Sequence, residues 1–246
     1  MQLTVLGSSS KGNGYILSND TESLVIECGA RFSDVQKALD FNISSIKGAV
    51  VSHEHGDHSR YIEQYLRMGI PVYTSQGTID GIKFKQIRRP KVISHGRKFM
   101  VGNFKVMPFD VQHDCREPLG FLVFHPEMGK LIFLTDTFYS DYVFKQLNHI
   151  LCEVNYSDEI LNENIKGGKV HPSQRKRLTT SHMSLKTAKQ LLSANDLSSV
   201  NNIVLLHLSD RNSNAGQFKQ EITAHTGKPV YVAQKGLIIN INKEGA

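Results

Sequence analysis

The stretch His53-Glu54-His55-Gly56-Asp57-His58 places four metal-binding side chains within six residues, directly after the apolar run Gly48-Ala49-Val50-Val51-Ser52. That run reads as a short buried strand, and open α/β architectures place their chemistry at the C-terminal ends of such strands. Imidazole and carboxylate at this density suit borderline divalent cations such as zinc or manganese. The mixture of nitrogen and oxygen donors argues against a structural thiolate site. A plain solvent-exposed turn would give so many imidazoles no shared purpose. From His58 the pattern turns helical, with Tyr61, Ile62, Tyr65 and Leu66 on one face, and it stops at Gly69 before Pro71.

Upstream of the cluster, Leu3, Val5 and Leu6 pattern as a strand, Tyr15 to Leu17 as a second, and Ser23 to Ile26 as a third ending at Glu27-Cys28-Gly29. A helix is expected over Ser33 to Leu39. The turn Gly7-Ser8-Ser9-Ser10-Lys11-Gly12-Asn13-Gly14 lacks the lysine-serine ending of a P-loop and leads into a strand. It therefore reads first as a structural turn, and second as a loop offering N–H groups to a phosphate. Downstream, strand signals fall at Val72-Tyr73, Phe104 to Met107, Phe121 to Phe124, Lys130 to Leu134 and Ile203 to Leu206, with a helix from about Ser184 to Ala194. Beyond three of these strands stand lone ligand-type residues, His113, Asp136 and His207. Added to His53, His55, Asp57 and His58, they make a complete ligand set for two metals.

In the order of these motifs, and over nearly the whole chain, the sequence resembles the metallo-β-lactamase fold superfamily. The resemblance implies an α/β fold, a four-layer αββα sandwich, here expected as a single domain over residues 1–246. It implies one metal held by His53, His55 and His113 and another by Asp57, His58 and His207. Asp136 would be shared between them, with a water-derived hydroxide as nucleophile. Glu27 stands where the family usually has Asp, so the hydrogen bonds supporting the cluster loop are expected to be rearranged. Ser181-His182-Met183-Ser184 and Leu151-Cys152-Glu153-Val154 resemble segments of the phosphodiesterase branch that includes tRNase Z, with Cys152 in place of a histidine. By that resemblance His182, oriented by Glu153, protonates the leaving oxygen; Asp57, His182 and Glu153 form the expected catalytic set. The Gly-Ser-Ser-Ser-Lys-Gly-Asn opening, His113-Asp114 and Asn155-Tyr156 look closer still to the YycJ/WalJ-like proteins, whose family activity is DNA exonuclease cleavage. The interval between His113 and Asp136 leaves no room for a tRNA-gripping arm.

With 246 residues and 39% hydrophobic content the chain can bury a substantial core. The N-terminus lacks a basic region followed by a long apolar stretch, and no segment approaches bilayer-spanning length, so the expectation is a cytoplasmic protein without a membrane partner. The odd set Cys28, Cys115 and Cys152 fits free thiols in a reducing compartment. Net charge is +6, concentrated in two acid-free stretches, one between Asp80 and Asp110 and one from Asn164 to Asn195. The first carries Lys83, Lys85, Arg88, Arg89, Lys91, Arg97, Lys98 and Lys105; the second carries Lys166, Lys169, Arg175, Lys176, Arg177, Lys186 and Lys189. Such surfaces attract polyanions or simply solvate a face. The favoured reading is therefore a nuclease with two divalent ions, zinc or manganese, acting on nucleic acid, DNA ahead of RNA. The alternative is a phosphodiesterase of small cyclic nucleotides, as in phage anti-defence enzymes of this fold. A homodimer is left open by both. A non-enzymatic binding module fits least, because all seven ligand positions carry competent residues. His95, His125, His149, His171 and His225 match no ligand position.

Overall fold

The computed structural model describes residues 1–85 and 88–244, so Gln86 and Ile87 of the first acid-free stretch lie outside the described residues. Strands β1 (Gln2–Gly7), β2 (Gly14–Ser18) and β3 (Ser23–Ile26) form an antiparallel meander. Helix α1 (Phe32–Ala38) crosses to β4 (Ile46–Val50), α2 (Gly56–Ser59) and α3 (Ile62–Arg67) lead to β5 (Val72–Thr74), and α4 (Gln76–Gly81) leads to β6 (Lys91–Val92). Each of these three strands lies parallel to the one before it. The second sheet repeats the plan. Strands β7 (Phe99–Val101), β8 (Phe104–Asp110), β9 (Leu119–His125) and β10 (Gly129–Leu134) run antiparallel, and β11 (His149–Glu153) joins β10 in parallel. Helices α5 (Asp158–Lys166), α6 (Ser173–Ser181) and α7 (Leu185–Ala194) precede parallel β12 (Asn202–Leu206), and α8 (Ala215–Thr226) precedes parallel β13 (Val230–Val232). The last strand, β14 (Ile238–Asn240), returns to the first sheet beside β1. The sheet orders are β14-β1-β2-β3-β4-β5-β6 and β13-β12-β11-β10-β9-β8-β7.

The side-chain alternation of a strand decides the layering. Leu3, Val5, Tyr15, Leu17, Leu24 and Ile26 of the first sheet face Phe121, Val123, Leu131, Phe133, Leu151 and Val204 of the second in one core. The intervening Ile16, Val25 and Ala49 pack outward against Phe32 and Val35 of α1 and Tyr65 and Leu66 of α3. On the other outer face, Ile132, Ile150, Ile203 and Leu205 pack against α7 and α8 through Leu192, Phe218 and Ile222. The four layers are thus helices, sheet, sheet, helices. Strands covered on both faces read as continuous apolar runs, and each large side chain fully buried contributes about 1.5–3 kcal/mol.

The helix expected from His58 through Leu66 is instead two short helices. At Tyr61 (φ −108°, ψ 12°) the backbone leaves the helical region, and the Tyr61 N–H donates to the carbonyl of Cys28 at 2.9 Å, anchoring the break. Among the described residues no helix is long and apolar enough to cross a membrane.

Strand direction gathers the site. Strands β10, β11 and β12 are mutually parallel, with Leu134, Cys152 and Leu205 in register, so the residues after them emerge at one edge. Strand β8 runs the same way, two antiparallel steps removed, and ends toward that edge as well. In the first sheet the ends of β1, β3 and β4 emerge together by the same logic, and the start of β2 joins them. Ser8, Asn13, Glu27 and His53 follow from that arrangement.

Candidate metal centre

The four cluster residues, His113, Asp136 and His207 converge at this edge. His53, His55, His113 and Asp136 offer ligand atoms that all lie within 4.8 Å of one another, as do Asp57, His58, Asp136 and His207. In the first group Nδ1 of His55 stands 3.1 Å from Nε2 of His53 and 3.1 Å from Nε2 of His113. In the second, Asp136 approaches His58 Nε2 at 3.2 Å and His207 Nδ1 at 3.0 Å, and Asp57 Oδ2 lies 3.3 Å from His58 Nε2 and 3.5 Å from His207 Nε2. Asp136 belongs to both groups. A third group, Asp136, Glu153, His182 and His207, adjoins them.

The imidazole lone pairs and carboxylates gathered here fit bound cations. His113 donates from Nδ1 to the carbonyl of Ser181 at 2.8 Å, which leaves Nε2 with its lone pair directed at the other imidazoles. Burial holds His53 well below the usual imidazole range, with the charge of His58 acting in the same direction; burial also lowers His113. Several imidazole lone pairs facing each other at such distances have no protein donor to satisfy them, and a divalent cation is the natural occupant. Across the centre, burial alone would raise Asp57 and Asp136, yet neighbouring imidazoles hold both carboxyls below the carboxylate range. Burial, the largest single influence, would lower His58 and His207, but the carboxylates around them together outweigh it and raise both: Asp136, Glu27 and Asp57 at His58, and Asp136, Asp57 and Glu153 at His207. His207 Nε2 and His58 Nδ1 have no hydrogen-bond partner and are buried.

Supporting interactions fix these groups. Glu27, where the family usually has Asp, accepts from the Ser52 N–H at 3.3 Å and lies 3.5 Å from Nδ1 of His58. Glu27, Asp136 and His207 have φ of 69°, 46° and 51°. Left-handed backbone at non-glycine residues costs energy and concentrates at functional sites. Glu153, fully buried, accepts from the amides of Thr137 and Met183, both at 3.1 Å, and its Oε1 stands 2.6 Å from Nδ1 of His182. Burial would lower His182, but Glu153 outweighs it and raises the imidazole.

Two further residues of the site, Ser8 and Asn13, sit in the Gly/Ser turn, whose composition is the only sequence signal that hints at them. The Ser8 hydroxyl accepts from the His207 N–H at 2.9 Å and the Tyr15 hydroxyl at 2.8 Å. The Asn13 amide lies 3.2 Å from Asp57 Oδ2 and 3.0 Å from His58 Nε2. Gly29 has a firm steric reason: a Cβ there would collide with the carbonyl oxygen of Asp57. Cys28, Cys115 and Cys152 are free thiols. His125 pairs with Glu22 at 3.2 Å, and His95, His149, His171 and His225 also lie outside the three groups.

Two layered sheets with His and Asp clusters at their shared edge define a hydrolase of the metallo-β-lactamase fold, suited to binding metal. The family profile described as "Beta-lactamase superfamily domain" matches residues 25–208, and the chain belongs to that superfamily. Exodeoxyribonuclease YycJ of Bacillus anthracis is 31% identical over 173 residues, covering 65% of each chain, so the match spans just under two thirds of that relative. The metallo-β-lactamase fold protein YhfI of Bacillus subtilis superposes with a TM-score of 0.74 at 15% identity, covering 97% of this chain and 99% of that one. Zn2+-bound PqqB of Methylobacterium extorquens gives 0.70 at 14% identity, covering 98% and 100%. These two structures establish likeness of fold.

Proposed function

We propose that the protein is a dinuclear metal-dependent phosphodiesterase and, more specifically, a nuclease that cleaves DNA exonucleolytically. The observation that carries the reading is the His182–Glu153 pair beside the two ligand groups: the imidazole ring centroid lies 5.5 Å from that of His113 and 5.6 Å from that of His207. His53, His55 and His113 would hold one ion and Asp57, His58 and His207 the other, with Asp136 common to both. When bound, the ions, zinc or manganese, supply Lewis-acid polarisation of a phosphoryl group and a nucleophile from water at neutral pH.

The remaining work falls to the chain's own residues. A nucleoside oxygen is a poor leaving group and needs a proton as its bond to phosphorus breaks. Nδ1 of His182 is engaged by Glu153, which leaves Nε2 to deliver that proton. The Glu153 carboxylate stabilises the charged imidazolium beforehand, and its two amide hydrogen bonds keep it from turning away. The side chain of His182 is 20% exposed, enough to meet substrate. DNA as substrate is supported by the likeness to an exodeoxyribonuclease and by the basic helix α6, which ends at Ser181 directly before His182.

A side-by-side assay of metal-loaded protein on labelled DNA, RNA and a panel of cyclic nucleotides tests the reading. Release of mononucleotides from DNA is the expected result. Efficient hydrolysis of a cyclic nucleotide with both polymers left intact would overturn it in favour of a small-molecule phosphodiesterase.

A further inference from the structure

A recess of about 340 Å³ opens beside the ligand groups and is lined in part by His182 and His207. Val170, Leu178 and Leu208 give it apolar sides, and Gln174 of α6 adds an exposed polar one. Asn155, 6% exposed, also lines it; its amide donates to the His207 carbonyl at 2.8 Å, while its Oδ1 has no partner. A second hollow of about 480 Å³, lined by Asn164, Lys169 and Arg211, shares Arg211 with the recess. Three cations of the same acid-free stretch as Lys169 are engaged: Arg175 lies 3.9 Å from Asp158, Arg177 3.5 Å from Asp114 and Lys189 2.6 Å from Glu221. Among the described residues Lys169 and Arg211 have no carboxylate partner.

We propose that this recess receives the nucleoside on the leaving side of the scissile bond, and that Arg211 and Lys169 hold the next phosphate of the same nucleotide. The inference rests on the phosphodiesterase reading, because His182 marks the leaving side. Water adds its oxygen to phosphorus, the P–O bond to the leaving nucleoside breaks, and the electron pair stays on that nucleoside oxygen, which takes the proton of His182 Nε2. The water's proton passes to solvent. The departing group must therefore lie next to His182, and the recess is the space there. Its volume falls in the range of small-molecule sites and suits one nucleoside. Apolar walls accept a base and sugar with little sequence preference, and the unmatched Asn155 acceptor suits an N–H or O–H of the nucleoside. Two unpaired cations beyond it suit a phosphate, Arg211 with its planar fork above all. A terminal nucleotide carrying its own phosphate satisfies the apolar walls, the Asn155 acceptor and the two cations together; Asp210, which also lines the recess, pairs with Lys11 at 3.8 Å.

Calorimetry on the metal-loaded protein tests this with deoxyadenosine monophosphate, deoxyadenosine and inorganic phosphate. Two exposed positions are varied, Gln174→Phe to fill the recess and Arg211→Ala to remove the fork. Metal content and melting temperature should stay unchanged in both. The monophosphate should bind at least about tenfold more tightly than the nucleoside, and Arg211→Ala should abolish that advantage. Gln174→Phe should weaken monophosphate and nucleoside alike by about tenfold or more while leaving inorganic phosphate unaffected. Equal monophosphate affinity in wild type and both variants, or none at all, overturns the subsite. DNA cleavage that ignores terminal phosphorylation in wild type does so too, while leaving the phosphodiesterase reading intact. Nucleotide binding as expected, with no phosphodiester cleaved, supports the binding site and removes the catalytic reading.

Discussion

Nδ1 of His182 and Oε1 of Glu153 are 2.6 Å apart, and the same carboxylate oxygen stands 3.3 Å from Nδ1 of His207, so one buried acid addresses both a candidate proton donor and a candidate ligand. His182→Ala should keep its metal yet lose roughly 10²-fold or more in turnover on substrates with a poor leaving group. An activated aryl phosphodiester should suffer less, since its leaving group needs little protonation. Equal losses on both substrates, or loss of metal, would take the donor role away from His182.

Asp136 belongs to both ligand groups, so Asp136→Ala should disrupt both ions. Elemental analysis of reconstituted wild type should find about two divalent ions per chain. A saturated wild type holding one ion or none would sink the dinuclear reading.

Gly29 leaves no space for a side chain against the Asp57 carbonyl. Gly29→Ala must displace the loop carrying Asp57 and His58, with a stability loss of about 3 kcal/mol and weaker binding of the ion assigned to that group. Thermal melts and metal titration report the two effects separately; an unchanged wild-type profile in both would contradict the steric argument.

The second basic stretch lies largely on α5, α6 and α7, and α6 contributes Gln174 and Leu178 to the recess. If it tracks a nucleic-acid backbone, Arg175→Ala with Lys176→Ala should weaken DNA binding and reduce the salt slope by about one for each phosphate no longer neutralised. Cleavage of a small aryl phosphodiester should be spared. Binding that does not respond to salt would count against the polymer reading.

Burial pushes His149, at the start of β11 and far along that strand from the ligands, from the usual 6.5 down to about 4. Between those values the unfolded chain carries a proton that the native protein lacks, so stability must fall as pH drops from 6.5 toward 4, by up to ~3 kcal/mol from this group. His149→Asn, whose amide can still face Asn202, should flatten that slope in denaturant titrations. A slope equal to wild type would show that His149 does not cause it.

Nine strands, β1 to β5, β8 to β10 and β12, and the ligand cluster are legible in the sequence because each is dictated locally, whereas β7, β11 and β14 carry no such signal. Val50 and Val51 feed the histidines in one uninterrupted run, and Tyr15 to Leu17 and Leu24 to Ile26 are short continuous apolar runs that declare strands buried on both faces without saying which face turns inward. Helix α6 is not legible: Ser-Gln-Arg-Lys-Arg-Leu-Thr-Thr-Ser buries only Ser181 and shows no apolar face. Helix α4 and strands β6 and β13 are too short to carry a period. The convergence of Ser8, Asn13 and Asn155 on the ligands depends on strand order, which no local pattern encodes. The break at Tyr61 likewise comes from a long-range bond to Cys28.

Strand β14 completes the first sheet by pairing Ile239 with Leu3 across nearly the whole sequence. Strands β1 to β6 can pair in the order in which they are synthesised, but the outer edge of β1 stays exposed until β14 has emerged from the ribosome. An unpaired edge is a template for mispairing with another chain. Such long-range closure also slows folding, which makes the interval before β14 docks the period in which this chain is most vulnerable to aggregation.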